Sequence, residues 1–276
     1  VRVWMLELLE KQEPITPHTR AVAWFFALWG EMWQHPSAEV VAGLAECVRL
    51  FAESEDDDAS AMALAARATA RVQLPQPDVE KADAELTDAV AKLHAVGNLW
   101  AEAITEVSLG RLAWVRGETA DALAHFDRAT AIATAGQDLF TMSVAGNLRS
   151  RLNFLRGEID VAEAEFVHTL QLAIQLHYDE GLAYGLEGLC AVAAARGDAW
   201  RAGALSAAAG AIRHRIGVFD AEAFTVHTAH LTALRAQDPE RVAAGEHAGA
   251  ELSVAEAVAL ALPEADAAVR ESVAHW

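Results

Sequence analysis

The stretch LGRLAWVRGETADALAHFDRA, residues 109–129, decides the fold. It reads as one helical hairpin with its punctuation in place. A first helix runs to Val115 and Arg116, Gly117 stops it, and Glu118 opens a second helix. In that second helix Ala122, Leu123, Phe126 and Ala129 return at three- and four-residue spacing, one apolar stripe facing the preceding helix. Forty residues on, the hinge recurs as Arg156-Gly157-Glu158, and after another forty as Arg196-Gly197-Asp198. A period of this size is the signature of a solenoid, in which each unit buries its apolar face only against its neighbours.

The forty-residue ruler extends in both directions. It places Ala42, Ala82, Ala122, Ala162, Ala202 and Val242 in one column and Gly30 with Gly110 in another. Small residues at helix crossings let backbones approach, and a large neighbour such as Leu86, Phe126 or Phe166 fills the gap beside the crossing. The hinge glycines supply the left-handed conformation that ends a helix. Arg116, Arg156 and Arg196 lie at the negative end of one helix dipole, and Glu118, Glu158 and Asp198 at the positive end of the next.

Helices are predicted over 1–12, 18–34, 38–54, 59–72 and 79–96. Three well-marked hairpins follow over 99–135, 139–176 and 180–216, then a pair over 221–236 and 239–252 and a short helix over 254–262. The prolines at 14, 17, 36, 75 and 77 separate the early helices. The expected architecture is an all-α, right-handed α-solenoid of about six hairpins, a single domain over 1–262 with a helical tail or linker over 263–276. Residues 18–34 hold Trp24, Phe25, Phe26, Trp29 and Trp33, too many for one buried stripe. They imply a helix packed on two sides or a docking face for a segment upstream.

Composition narrows the function. A 53% hydrophobic chain with only 7% aromatics favours slender, closely approaching helices. A net charge of −19 repels phosphate, which argues against direct contact with nucleic acid or an anionic membrane. Cys47 and Cys190 lie far apart without disulfide or zinc spacing, pointing to a reducing, cytoplasmic compartment. The chain opens at Val1 inside an apolar helical pattern, with neither a secretory leader nor a long uncharged run, and reads as a piece of a longer soluble protein.

Chemistry-bearing patterns are sparse. The acidic run 53–58 lacks calcium-loop spacing and reads as a solvated loop. His227 and His230 share a helix face without a matching carboxylate or cysteine set, so no metal is expected. Ser108, Ser150 and Ser206 sit in helix interiors with no strand-turn-helix elbow around them. No G-x-x-x-x-G-K-[ST] run occurs, and no basic recognition helix. These absences predict a protein that is not an enzyme and carries no cofactor.

Leu109-Gly110, Gly117, Ala122-Leu123, Phe126 and Ala129 fall at the spacing of the tetratricopeptide repeat signature, and the hairpin resembles one such repeat with longer helices. Its neighbours look like degenerate units, with Ser150 and Cys190 in place of the first-helix glycine. A second resemblance lies further on. GLAYGLEGL at 181–189, AAARGD at 193–198 and ELSVAEAVALAL at 251–262 are similar to the closing helical repeats of large bacterial signal-transduction ATPases that regulate transcription, of the LuxR-type and antibiotic-regulator (SARP) kinds. That resemblance implies a sensor arm. It would bind a small-molecule inducer or a protein partner and control an ATPase module, its self-assembly into a homo-oligomer and a DNA-binding output, all outside this chain. The alternative is a freestanding scaffold that holds a partner peptide.

In tetratricopeptide stacks the first helix of each hairpin lines the concave surface. The register set at Gly110 then selects Leu64, Arg67 and Arg71; Val107, Arg111 and Trp114; Val144, Asn147, Arg151 and Phe154; Tyr184, Glu187 and Ala191; Phe224, His227 and Leu231. Of these, Arg111, Trp114, Asn147, Arg151, Phe154, Tyr184, Glu187 and His227 are the candidate ligand-binding set, with aromatic faces for rings and arginines for carboxylate or phosphate. The competing reading is that Arg151 and Glu187 pair across adjacent helices and the aromatics simply pack.

Overall fold

The computed structural model describes residues 2–10, 15–217, 224–263 and 273. Most of the tail expected over 263–276 and the start of the helix expected at 221 lie outside the described residues. Fifteen helices and no strand occur among those described. The chain divides into two compact units, Val1–Gly136 and Gln137–Trp276, where the sequence suggests one repeat domain over 1–262.

The first unit holds α1 (Arg2–Glu10), α2 (Pro17–Trp29), α3 (Glu31–Gln34), α4 (Ala38–Glu53), α5 (Asp57–Val72), α6 (Val79–Val96), α7 (Leu99–Val115) and α8 (Thr119–Ala135). The second holds α9 (Leu139–Leu155), α10 (Ile159–Gln175), α11 (Asp179–Ala195), α12 (Ala199–Ile216), α13 (His227–Gln237), α14 (Pro239–Ala250) and α15 (Val254–Ala261). From α7 to α12 a helix begins every twenty residues, so the forty-residue hairpin is the repeating unit.

The turns explain the regularity. Gly117, Gly157 and Gly197 have φ of 78, 82 and 78°. The Gly117 amide donates to Trp114 O at 2.8 Å and the Glu118 amide to Ala113 O at 2.9 Å, which satisfies carbonyls the ending helix would otherwise leave open. A second left-handed column links one hairpin to the next at Gly97, Gln137, His177 and Gly217. Only two of its four members are glycine, which is why composition alone did not expose it. Asn98, Asp138 and Asp198 cap the following helices through their side chains. Glu118 and Glu158 make no such bond and contribute charge at the positive helix end.

Packing follows the small-residue column from its second member on. Ala82, Ala122, Ala162, Ala202 and Val242 are fully buried. A Cβ on Gly110 would sit 2.4 Å from the Phe126 ring, so glycine is what lets α7 and α8 close on that phenylalanine. Two assignments at the N-terminal end do not hold. Ala42 is exposed, and Gly30 has nothing within 4 Å of its would-be Cβ. The ruler slips there because the helix expected over 18–34 breaks at Gly30 into α2 and the one-turn α3, and Gly43 instead takes the close approach, against Leu28. The acidic run is also more than a loop. Asp56 caps α5 and meets His18 Nε2 at 2.9 Å, while Asp58 accepts from Asn98 Nδ2 at 2.7 Å.

The last helical pair departs from the hairpin pattern. α14 packs directly along α12, with Gly245 and Gly249 against the backbone of Trp200 and Ala204 and Gly203 against that of Val242. α13 lies instead over α11. Among the described residues no helix is long and apolar enough to cross a membrane.

Candidate functional site

In the first unit, α2, α3, α5 and α7 frame a shallow cleft open to solvent. Its floor is the small-residue face of α5, Ala65, Ala66 and Thr69, and its walls are Trp29, Met32 and Trp33 on one side and Trp100, Ile104 and Thr105 on the other. The Trp29 and Trp100 rings lie 6.1 Å apart at 36°. α3 is held in place by Gln73, whose Nε2 donates to Met32 O at 2.9 Å. The hydroxyl protons at the floor turn inward: Thr105 donates to Ala101 O at 2.6 Å, Thr69 to Ser108 Oγ at 3.1 Å, and Ser108 to Ile104 O at 3.3 Å. What faces the cleft is therefore indole surface, thioether and hydroxyl lone pairs, an environment for apolar groups and N–H donors.

Two of the eight candidate residues belong to this unit. Arg111 continues the cleft-lining stripe of α7 and stands with its guanidinium 5.9 Å from the Trp33 ring. Trp114 is half-buried and does not line the cleft. Arg67 and Arg71, named with the same stripe, turn instead to Glu85 of α6, at 3.0 and 3.4 Å. The stripe set at Gly110 begins at Leu64 and, on α7, at Val107, so it leaves out Trp29 and Trp33 of α2 and α3 and also Trp100, two turns earlier on α7. The aromatic surplus over 18–34 points to the first two. A buried polar cluster was missed as well: Glu106, 5% exposed, meets His125 Nδ1 at 2.6 Å and Arg128 Nε at 3.2 Å.

The second unit gathers three of the six remaining candidates, Arg151, Tyr184 and Glu187, into one ion cluster. Arg213 of α12 grips Glu187 of α11 with two parallel bonds of 2.9 Å, a geometry that suits guanidinium and carboxylate. Arg151 of α9 stands 3.6 Å from the same carboxylate, so Arg151 and Glu187 do pair across helices. The guanidinium carbons of Arg213 and Arg151 stand over the Tyr184 ring at 4.4 and 4.8 Å, and its hydroxyl donates to Glu180. Arg151 is only 2% exposed. Its Nη1 donates to the main-chain carbonyl of Phe224 at 2.7 Å, and Phe154 takes His230 edge-on at 4.9 Å. The face expected to be an open groove is thus covered by the chain's own residues.

Asn147 is buried with its Nδ2 unpartnered among the described residues, and His227 is half-buried in the first turn of α13. No group of three or more His, Cys, Asp or Glu among the described residues could hold a metal. Cys47 and Cys190 are free and fully buried, and burial pushes each thiol up to about 12. Burial likewise raises the Tyr178 phenol far above its ordinary range, with the Glu180 carboxylate adding to the effect.

The chain matches no family model and no curated protein. Among solved structures it resembles the crystal structure of aspartyl phosphate phosphatase F from Bacillus subtilis, with a TM-score of 0.60 at 14% sequence identity over 90% of this chain. The chain spans 65% of the length of that protein. The likeness carries the fold: an all-α, tetratricopeptide-like helical repeat.

Proposed function

We propose that this chain is a non-catalytic recognition module that captures a partner protein segment in the cleft of its first unit. The observation that supports the reading is a tryptophan-walled cleft on an alanine floor, open to solvent. Indole faces and inward-turned hydroxyls suit an aromatic or cationic side chain, and the net charge of −19 favours a basic partner. The likeness to the closing repeats of transcription-regulating ATPases supports a finer version, in which the captured partner or an inducer sets the state of an ATPase and DNA-binding output elsewhere in a longer cytoplasmic protein. The buried, unpaired thiols agree with a reducing compartment.

Selection of a random peptide library on the immobilised chain tests the cleft. Enriched peptides should carry an aromatic or basic anchor and should lose at least tenfold in affinity on an Ala65→Leu variant, whose floor is filled. Equal binding to both proteins removes the cleft from the reading. The finer version stands on the parent reading frame, where an ATPase phosphate loop beside this segment is expected.

A further inference from the structure

The second unit carries a different arrangement, independent of the cleft. Its concave candidates are not empty; residues 224–237 lie on them. Two features mark this segment as an occupant rather than a member of the stack. First, the stack closes without it: Gly245 and Gly249 bring α14 into backbone contact with α12, so α13 does not serve as the inner helix of a hairpin. Second, α13 is lightly held. Its helix buries Leu231 and Leu234, with Phe224 and Val226 buried just before it and Arg235 paired to Glu246 of α14, whereas α11 buries thirteen residues. Ordering a helix of eleven residues is costly in backbone entropy, and its two buried leucines offset less of that cost than the thirteen buried positions of α11 do, which sets α13 lower on the local stability scale.

The surface beneath it has demanding chemistry. Arg151 is buried beside Glu187, which Arg213 also grips, and it takes one acceptor from the segment, the carbonyl of Phe224. Phe154 offers a ring face that His230 covers. If the segment left, the guanidinium would lose a short hydrogen bond, a loss made good when another chain brings an acceptor to the same place.

We propose that residues 224–237 are an internal ligand seated in a peptide-binding groove formed by α9 and α11, and that a partner segment of the same chemistry displaces it. That chemistry is a helical segment with leucines three apart, an aromatic or imidazole ring one residue before them, and a main-chain carbonyl or carboxylate upstream for Arg151. The occupant is a protein segment because the groove meets residues 224–237 through features that a peptide supplies: a carbonyl, a ring edge and an apolar helix face.

The test uses the full chain and a labelled synthetic peptide of its own residues 224–237, FTVHTAHLTALRAQ. With Leu231→Ser and Leu234→Ser loosening the internal copy, fluorescence anisotropy should show the peptide binding at least tenfold tighter than to the unaltered chain. Adding Phe154→Ala should abolish that gain. A folded double variant that binds no tighter than the unaltered chain, or a gain indifferent to Phe154→Ala, overturns the proposal. Should the double variant not fold, hydrogen exchange on the unaltered chain decides. Amides of α13 should exchange at least a hundredfold faster than those of α11, and equal protection overturns the proposal.

Discussion

Gly249→Ala isolates the contact that takes the last helices out of the repeat. A Cβ at this position would lie 2.1 Å from the Ala204 carbonyl oxygen and 2.7 Å from its carbon, where ordinary contact begins at 3.4 Å. The obstacle is helix backbone, which cannot turn aside as a side chain would, so α14 must withdraw from α12 by about 1 Å, and a gap of that size forfeits roughly a quarter to a half of each contact's dispersion energy. Overpacking of this kind costs about 1–3 kcal/mol, with a rigid obstacle at the upper end. Alanine returns about 1 kcal/mol of helix propensity. The expected balance is a net loss of about 2 kcal/mol. Gly210 provides the control, because it sits inside α12 with nothing within 4 Å, so Gly210→Ala should gain about 1 kcal/mol from propensity alone. Urea titrations followed by circular dichroism read both as midpoint shifts of opposite sign at unchanged slope. If Gly249→Ala moves the midpoint upward as Gly210→Ala does, the direct α12–α14 contact is wrong.

Other outcomes follow from the same geometry. Glu187→Gln removes the carboxylate shared by Arg213 and Arg151, leaving two nearly buried guanidiniums undercompensated; it should destabilise by about 3–5 kcal/mol, and a shift below 1 kcal/mol would contradict the ion cluster. Gln137 holds φ at 53°, so Gln137→Gly should relieve backbone strain and stabilise by about 0.5 kcal/mol, a rise in Tm of about 1–2 °C, whereas a fall would refute the second hinge column. Both thiols are raised from 9.0 to about 12, so folding favours their protonated form: the stabilisation is complete below pH 9 and declines as pH climbs toward 12. Stability should fall by about 1.4 kcal/mol per pH unit per thiol in that window, and a chain with both Cys47→Ala and Cys190→Ala should lose that part of the slope. An unchanged slope would show the thiols to be less buried than they stand.

What was legible in the sequence was whatever a local rule writes into a fixed spacing. Gly117, Gly157 and Gly197 end helices by a conformation that alanine resists, so they recur every forty residues and mark the hairpins. Gln137 and His177 hold the same conformation at a cost that surrounding packing covers, and their identity leaves no trace of it. At the N-terminal end, spacing alone puts Gly30 in a packing column, but the chain turns into α3 there, and α3 is tied to Gln73 through the Met32 carbonyl, a contact across forty-one residues that no local pattern carries.

The candidate site divides in the same way. The periodicity puts Arg151, Phe154, Tyr184 and Glu187 on one stripe because a helix face is a local property, and Arg151, Tyr184 and Glu187 meet in the second unit. It could not say that the face is occupied, since the occupant, residues 224–237, was read as the next member of the series. A solenoid rule assumes each helical pair meets the last as its predecessor did. Here that assumption fails on Gly203, Gly245 and Gly249, three glycines that ordinary repeat spacing does not require and that let α14 reach α12 backbone to backbone. Gly245 and Gly249, four residues apart on α14, are the trace that this contact leaves in the sequence, and beside it α13 lies over α11.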